Sequence, residues 1–157
     1  MKKRASWVLW CLAALCAGMI FAFSSQAGSS SLQTSGRVIQ WILPLTMRNY
    51  EQLPPAKRQE IAQRYQYLVR KGAHFLEFAL LGLLVRLALG RRSRRGSSAC
   101  VWLGATGYAA LDEFHQLLIG SRSAMWQDVC LDSLGALTGV TVAAGIMAVL
   151  RRSKKSG

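Results

Sequence analysis

The stretch SWVLWCLAALCAGMIFAF, residues 6–23, decides the fold class of this chain. It carries no charged side chain and approaches the roughly 20 apolar residues that a helix needs to cross a bilayer. A second uncharged stretch covers residues 133–150, and residues 72–89 and 97–119 are apolar apart from a few ionisable side chains. We therefore predict an all-α polytopic membrane protein. Its four-transmembrane-helix bundle would have spans at about residues 6–23, 72–89, 97–119 and 130–150.

Composition narrows the class of protein further. The chain has 157 residues, of which 52% are apolar, yet its net charge is +13. Disordered chains combine high charge with low hydrophobicity, so disorder is excluded. Nucleic-acid binding needs basic residues spread along a soluble surface, whereas here they are segregated from the apolar runs. We predict a single membrane domain over residues 1–157, with the lipid bilayer and no nucleic acid as partner.

Lysine and arginine cluster in three places, which predict the orientation. MKKR at the N-terminus, RRSRR at residues 91–95 and RRSKK at residues 151–155 contain eleven cations and no acid. In a four-span arrangement all three lie on one side of the membrane, which the positive-inside bias assigns to the cytoplasm. Both termini would then be cytoplasmic. Arg86, near the cytoplasmic end of span two, is expected to extend its charge to the membrane interface.

Residues 24–70 form the predicted outer segment. Pro54-Pro55 predicts the start of a helix that ends near Val69 and lies at the outer membrane interface. At the N-terminus there is an alternative, because the first apolar stretch and Ser25-Gln26-Ala27 together resemble a cleavable secretory signal. The apolar stretch is longer than a usual signal core, which favours a retained helix.

Ionisable and polar side chains of three predicted spans converge on one depth. A charge at membrane depth is costly unless it is paired or hydrated, so this convergence predicts a functional site. Lys71, His74 and Glu77 share one face of span two by their spacing of three. The Gly135-x-x-x-Gly139 pair predicts close approach of another helix beside the site. The converging residues are His74, Glu77, Asp112, Glu113, His115, Gln116, Asp128 and Asp132, with Arg122 in the loop before span four.

Three blocks of the sequence resemble signature blocks of the VanZ-like family of bacterial membrane proteins. They are FAFSSQAGSSS (residues 21–31), VRKGAHFLEFALLGLL (69–84) and LDEFHQLLIGSRSAMWQDVCLDSLGALTG (111–139). The family pattern has an R-K-x-x-H-x-x-E block, a D-E-x-x-Q block, an Arg, an Asp and a Gly-rich last helix. Matching positions are Arg70, Lys71, His74, Glu77, Asp112, Glu113, Gln116, Arg122, Asp128, Gly135 and Gly139. The sequence departs at Gly120-Ser121, where Pro-Gly is common, and at Asp132, where Asn is frequent.

The resemblance implies a protein of the bacterial cytoplasmic membrane whose first helix is retained before the FSSQ block. It also implies that Ser24, Ser25 and Gln26 belong to the site. The family's namesake confers low-level resistance to teicoplanin, so a contribution to teicoplanin-type glycopeptide resistance is one expectation. The resemblance identifies no settled biochemical activity.

Two classes of function fit these residues. In the first, an outward-facing pocket binds the anionic head of a lipid-linked cell-wall precursor or lipoglycopeptide, with arginine suited to bidentate anion contacts. The predicted ligand-binding residues are Arg70, Lys71, Gln116, Arg122, Asp128, Asp132, Ser24, Ser25 and Gln26. Apart from the two classes of function, a purely structural reading stays open, in which pairs such as Glu77–Arg122 or Asp112–Lys71 neutralise one another.

In the second class, the protein is a membrane-embedded hydrolase or transferase acting on an envelope lipid. The candidate catalytic residues are His74, Glu77, Asp112, Glu113 and His115. A divalent metal would activate water in such a site. Its candidate ligands are His74, Glu77, Asp112, His115 and Asp128. Without a metal, His115 is the candidate general base.

Overall fold

The computed structural model describes residues 2–25, 36, 39, 41–90, 96–118 and 125–153. These residues form four long α-helices and no strand. The helices are α1 (Lys2–Ser24), α2 (Pro55–Leu89), α3 (Gly96–Leu118) and α4 (Trp126–Ser153). A shorter helical stretch covers residues 41–46, and Tyr50–Gln52 forms one turn of 3₁₀ helix. The all-α prediction is confirmed.

Three segments of the described chain are long and apolar enough to cross a membrane. They are Ser6–Ser24, Pro55–Leu89 and Trp126–Ser153. The predicted span at residues 97–119 forms α3, whose 23 residues are also long enough, but it is not among these three segments. Serines in its first turn and the polar sequence DEFHQ near its end lower its mean hydropathy. Three of the four predicted spans therefore meet both conditions.

The helix predicted to end near Val69 does not end there. It begins at Pro55, as expected from proline's fit to the first helical turn, and continues without a break to Leu89. Gly72 is the only helix breaker near the expected boundary, and one glycine costs a helix only about 1 kcal/mol relative to alanine. That cost is too small to separate two helical segments, so the outer helix and span two are one helix of 35 residues.

The chain divides into two compact units, residues 1–25 with 74–157 and residues 26–73. In the second unit, the Lys71 ammonium lies 5.2 Å from the centre of the Tyr67 ring, one helical turn away. Glu60 and Arg64 form an exposed ion pair at 3.1 Å in the same helix. These contacts are local to α2 and stabilise its first half as a helix.

In the first unit, small residues bring α2 and α4 into backbone contact. A Cβ atom added at Gly135 would meet the Phe75 carbonyl, and one added at Gly139 would meet the Ala79 carbonyl. On the other helix, a Cβ at Gly82 would lie 2.5 Å from the Ala136 carbonyl oxygen. The close approach predicted from the Gly135-x-x-x-Gly139 pair is therefore present, and its partner is α2.

The core of this unit combines all four helices. Its buried residues are Ala13, Cys16 and Ile20 of α1, Phe78 and Leu81 of α2, Ala105 and Ala109 of α3, and Ala136 of α4. Polar bonds add to this packing, since the Tyr108 hydroxyl donates to the Ala17 carbonyl at 2.8 Å. The Trp102 indole N–H donates to Ser133 Oγ at 3.0 Å. Large apolar side chains such as Trp7, Leu15 and Leu111 remain exposed, and such surface is typical of proteins that contact a membrane or a partner.

Candidate functional site

A buried polar cluster joins the end of α1 to the last turns of α3. The Ser24 hydroxyl donates to Asp112 Oδ2 at 2.8 Å. The Gln116 side-chain amide donates both to Ser24 Oγ at 2.6 Å and to Asp112 Oδ2 at 2.9 Å. Each of the three side chains is 3% exposed. Asp112 and Gln116 lie on one face of α3 because they are four residues apart, which allows both to meet Ser24.

The two oxygens of the Asp112 carboxylate differ in their surroundings. Oδ2 accepts from Ser24 and Gln116, whereas Oδ1 is buried and accepts no hydrogen bond from the part of the chain that the structure describes. Glu77 of α2 interacts electrostatically with Asp112. A buried carboxylate oxygen needs a donor, so this atom marks a point where an added donor group would bind favourably.

Beside this cluster, Ser25 and His115 form a second contact between α1 and α3. Ser25 Oγ and His115 Nε2 are 3.1 Å apart, with the donor set by the histidine tautomer. The imidazole stacks on the Phe21 ring, with centroids 4.5 Å apart and planes at 27°. Ser25 also donates to the Phe21 carbonyl at 2.7 Å. Phe21 therefore orients both members of the pair.

Glu113 has a different role from its neighbour Asp112. Its side chain is buried, and Oε1 accepts from the Met125 backbone N–H at 2.8 Å. Met125 directly precedes α4, where backbone N–H groups have no partner within the helix. Glu113 thus caps the start of α4 from α3, and its negative charge is also favourable there.

The remaining predicted residues of the first unit lie on α2 and α4. His74 Nδ1 and Glu77 Oε2 are 3.6 Å apart, both partly buried, so this predicted His-x-x-Glu pair is in contact. Asp132 is 6% exposed and Asp128, in the first turn of α4, is partly buried. Among the described residues, no group of three His, Cys, Asp or Glu side chains has the arrangement of a metal site. The five candidate metal ligands are therefore not brought together as one set of ligands.

Four predicted site residues are not among the described residues of the first unit. Arg70 and Lys71 belong to the second unit. Gln26 and Arg122 fall outside the described residues. Sequence reasoning missed Phe21, which stacks on His115, although its place one turn before Ser25 puts both on the same helical face.

Arg86 at the opposite end of α2 also differs from expectation. The expected exposure to water is absent, because the side chain is only 9% exposed. Its Nε donates to Ser98 Oγ at 2.9 Å, and its Nη1 donates to the Gly90 carbonyl at 3.2 Å. Ser98 and Gly90 lie close by because α2 and α3 are joined at this end, so acceptors in the protein replace water.

Comparison with known proteins gives one match. A family model described as VanZ/LLP1 matches residues 9–149, which is most of the chain. No curated protein and no solved structure matches.

Proposed function

The chain belongs to the VanZ/LLP1 family, and we propose that it is a four-span membrane protein that binds the polar head of an envelope lipid. The site lies where α1 and α3 end and α4 begins. The observation that carries the proposal is the Ser24–Asp112–Gln116 cluster, in which a buried carboxylate oxygen has no donor within the described residues. A hydroxyl or amide N–H of the ligand would satisfy it.

The depth of the cluster supports a lipid head rather than a lipid tail as ligand. The apolar segment Ser6–Ser24 has 19 residues. At about 1.5 Å per residue it spans roughly 28 Å, close to the hydrocarbon thickness of a bilayer. Ser24 then lies at the level where head groups begin, and Asp112 lies beside it. By the positive-inside bias, this end faces out of the cytoplasm and both termini are cytoplasmic.

The distribution of polar and apolar side chains on α3 supports its assignment as a membrane span, in addition to α1, α2 and α4. Its buried polar residues Asp112, Glu113 and Gln116 face neighbouring helices. Its exposed large side chains are all apolar among those described, namely Leu103, Leu111, Phe114, Leu117 and Leu118. This division is typical of a membrane helix whose polar residues face the bundle and whose apolar residues face lipid.

The described charges of the site favour a ligand with hydrogen-bond donors, and the phosphate part of the proposal depends on a cation predicted from the sequence. The described acids Glu77, Asp112 and Glu113 attract donor groups and repel anions. Arg122, which precedes α4 in the sequence, is proposed to contact the anionic part, because arginine binds phosphate in a bidentate manner. A lipid-linked cell-wall precursor carries sugar hydroxyls, amide N–H groups and phosphate on one head. A lipoglycopeptide of the teicoplanin type offers hydroxyls, amides and a carboxylate, so resistance through drug binding is part of the same proposal.

Binding is tested with purified protein in lipid nanodiscs and a lipid-linked disaccharide precursor as the probe. Asp112→Asn changes one oxygen of the carboxylate to an amide, and we expect it to weaken binding about tenfold or more. Thr138→Val is the matched control, because Thr138 is exposed and donates only to the Leu134 carbonyl of its own helix. Equal affinity in wild type and Asp112→Asn would count against the proposal.

Drug resistance needs a separate test in cells. Arg122→Lys keeps the charge but removes the bidentate geometry. Expression of the wild-type protein should raise the teicoplanin concentration that inhibits growth, and Arg122→Lys should reduce that effect at equal membrane abundance. If both proteins protect equally, bidentate recognition by Arg122 is wrong.

One observation favours the second candidate function, a hydrolase or transferase. Ser25 Oγ lies 3.1 Å from His115 Nε2, which is the distance of a serine and its general base. Because a hydroxyl has one proton, Ser25 must turn it from the Phe21 carbonyl to the imidazole for this role. A fluorophosphonate probe tests it. Labelling of Ser25 that is lost in His115→Gln supports an enzyme, and an unlabelled, folded wild-type protein excludes a serine nucleophile.

A further inference from the structure

Arg86 is a buried cation whose described partners are all neutral. Besides Ser98 Oγ and the Gly90 carbonyl, its guanidinium lies 4.0 Å from the Met147 sulfur of α4. The guanidinium stays charged under all physiological conditions. Within the described residues its bonds run from Nε and Nη1, which leaves the N–H groups of Nη2 for a further acceptor.

No acid of the same unit is in a position to neutralise this charge. Glu77 precedes Arg86 by nine residues on α2, or about 14 Å along the axis. Asp112 and Glu113 lie at the far end of α3 from Ser98, and Asp128 and Asp132 lie at the far end of α4 from Met147. A buried cation is costly without a counter-charge, so an anionic ligand would bind favourably beside Arg86.

A groove between α2 and α3 lies at the same end of the unit. It has a volume of about 340 Å³ and is lined almost entirely by apolar atoms. From Leu89 to Leu81 it extends over eight residues of α2, or about 12 Å toward the middle of the bundle. Its other wall is formed by Val101, Gly104 and Tyr108 of α3. The groove is open because Gly104 has no side chain there.

We propose that this end of the α2–α3 pair binds an anionic phospholipid, with the phosphate at Arg86 and one acyl chain in the groove. The positions of Arg86 and of the groove along α2 match those of the phosphate and the acyl chain of a phospholipid. Arg86 is three residues, or about 4.5 Å, from the end of α2, at the level of lipid phosphates. The groove residues Val85 and Leu81 lie progressively deeper, where acyl chains lie. Basic pockets between helices are known to bind acidic head groups on the cytoplasmic side.

Lipid titration of the full-length protein in detergent tests the proposal, with native mass spectrometry as the measurement. The probes are phosphatidylglycerol and zwitterionic phosphatidylcholine. Wild type should bind one phosphatidylglycerol about tenfold or more tightly than phosphatidylcholine, and Arg86→Gln should remove that preference. Arg151→Gln is the control, because it removes the same charge from an exposed position near the same end of the bundle.

A second pair of variants tests the groove without touching Arg86. A Cβ at Gly104 and one at Gly107 would each meet open space, so a side chain can begin at both positions without a clash, but only Gly104 lines the groove. Gly104→Leu should weaken phosphatidylglycerol binding about tenfold, whereas Gly107→Leu should leave it unchanged. If Arg86→Gln does not fold, this pair of variants still tests phospholipid binding in the groove, since the hydrogen bonds of Arg86 remain intact in both.

Three results would overturn the proposal. The first is equal binding of the two phospholipids by wild type. The second is equal phosphatidylglycerol affinity in Gly104→Leu and Gly107→Leu. The third concerns a free phosphate ion as the alternative source of the anion. If inorganic phosphate raises the unfolding temperature of wild type and Gly104→Leu alike and competes with the lipid, the site binds an ion rather than a phospholipid.

Discussion

The hydroxyl of Ser24 donates to Asp112 Oδ2 at 2.8 Å, and this bond joins the last residue of α1 to the buried face of α3. It makes the first helix part of the candidate site. Cleavage after Ala27 would remove one of the two described donors to Asp112 Oδ2, together with the core residues Cys16 and Ile20. We therefore expect the intact mass of the protein purified from membranes to include residues 2–25, as retention of the first helix requires. A mass that begins at residue 28 would contradict this.

Ser24→Ala should destabilise the protein. The variant removes one of the two described donors to Asp112 Oδ2 and one of the two described acceptors of the Gln116 amide, all of them buried. Loss of a hydrogen bond to a charged group costs about 1.5–3 kcal/mol in free energy of unfolding. Thermal unfolding in detergent measures the loss. Thr138→Val, which removes a hydroxyl bonded within its own helix, should unfold at nearly the wild-type temperature.

Gly139→Ala should separate the packing of α2 and α4 from helix propensity. A Cβ at Gly139 meets the Ala79 backbone, so the two helices must move apart, at a cost of about 1–3 kcal/mol. Gly145→Ala on the same helix meets open space and should be neutral or stabilising by up to about 1 kcal/mol. Unfolding temperatures in the same detergent give the comparison. Equal effects of the two substitutions would mean that the close contact is absent.

Glu113→Ala and Glu113→Gln should differ in stability. Alanine leaves the Met125 N–H without its acceptor, which costs about 1–2 kcal/mol at a helix start. Glutamine keeps a carbonyl oxygen at the same position and loses only the charge, worth about 0.3–1 kcal/mol. Thermal unfolding again measures both. If glutamine is as damaging as alanine, the negative charge and not the capping bond is what the protein requires.

The orientation is tested by cysteine labelling in intact cells. In a background without Cys11, Cys16, Cys100 and Cys130, a cysteine at position 30 should react with an impermeant thiol reagent. One at position 93 should react only after the cells are opened. This follows because residue 93 lies within the basic RRSRR segment, which the positive-inside bias places in the cytoplasm. The reverse pattern would invert the proposed topology.

The helices and several site contacts follow from the sequence because their determinants are local. Uncharged length predicts α1 and most of α4, and a spacing of four residues puts Asp112 and Gln116 on one face. The glycines at 135 and 139 predict a close helix contact, but only the structure shows that α2 is the partner.

What the sequence did not reveal depends on contacts between distant residues. Spacing alone cannot show that Ser25 meets His115, 90 positions away, or that Glu113 caps α4. The sequence predicts that Arg86 is exposed to water, because a long cationic side chain near a helix end usually is. Ser98 and Gly90 at the α2–α3 connection provide acceptors that sequence periodicity does not predict.

The most direct test of the proposed function is lipid identification from purified protein. Wild type and Asp112→Asn are extracted in the same mild detergent, and the lipids that remain bound are identified by mass spectrometry. We expect wild type to retain an envelope lipid whose head combines hydroxyl or amide groups with phosphate. Asp112→Asn should retain about tenfold less of it at equal yield of folded protein. If the two proteins retain the same lipids in the same amounts, the Ser24–Asp112–Gln116 cluster does not bind a lipid head.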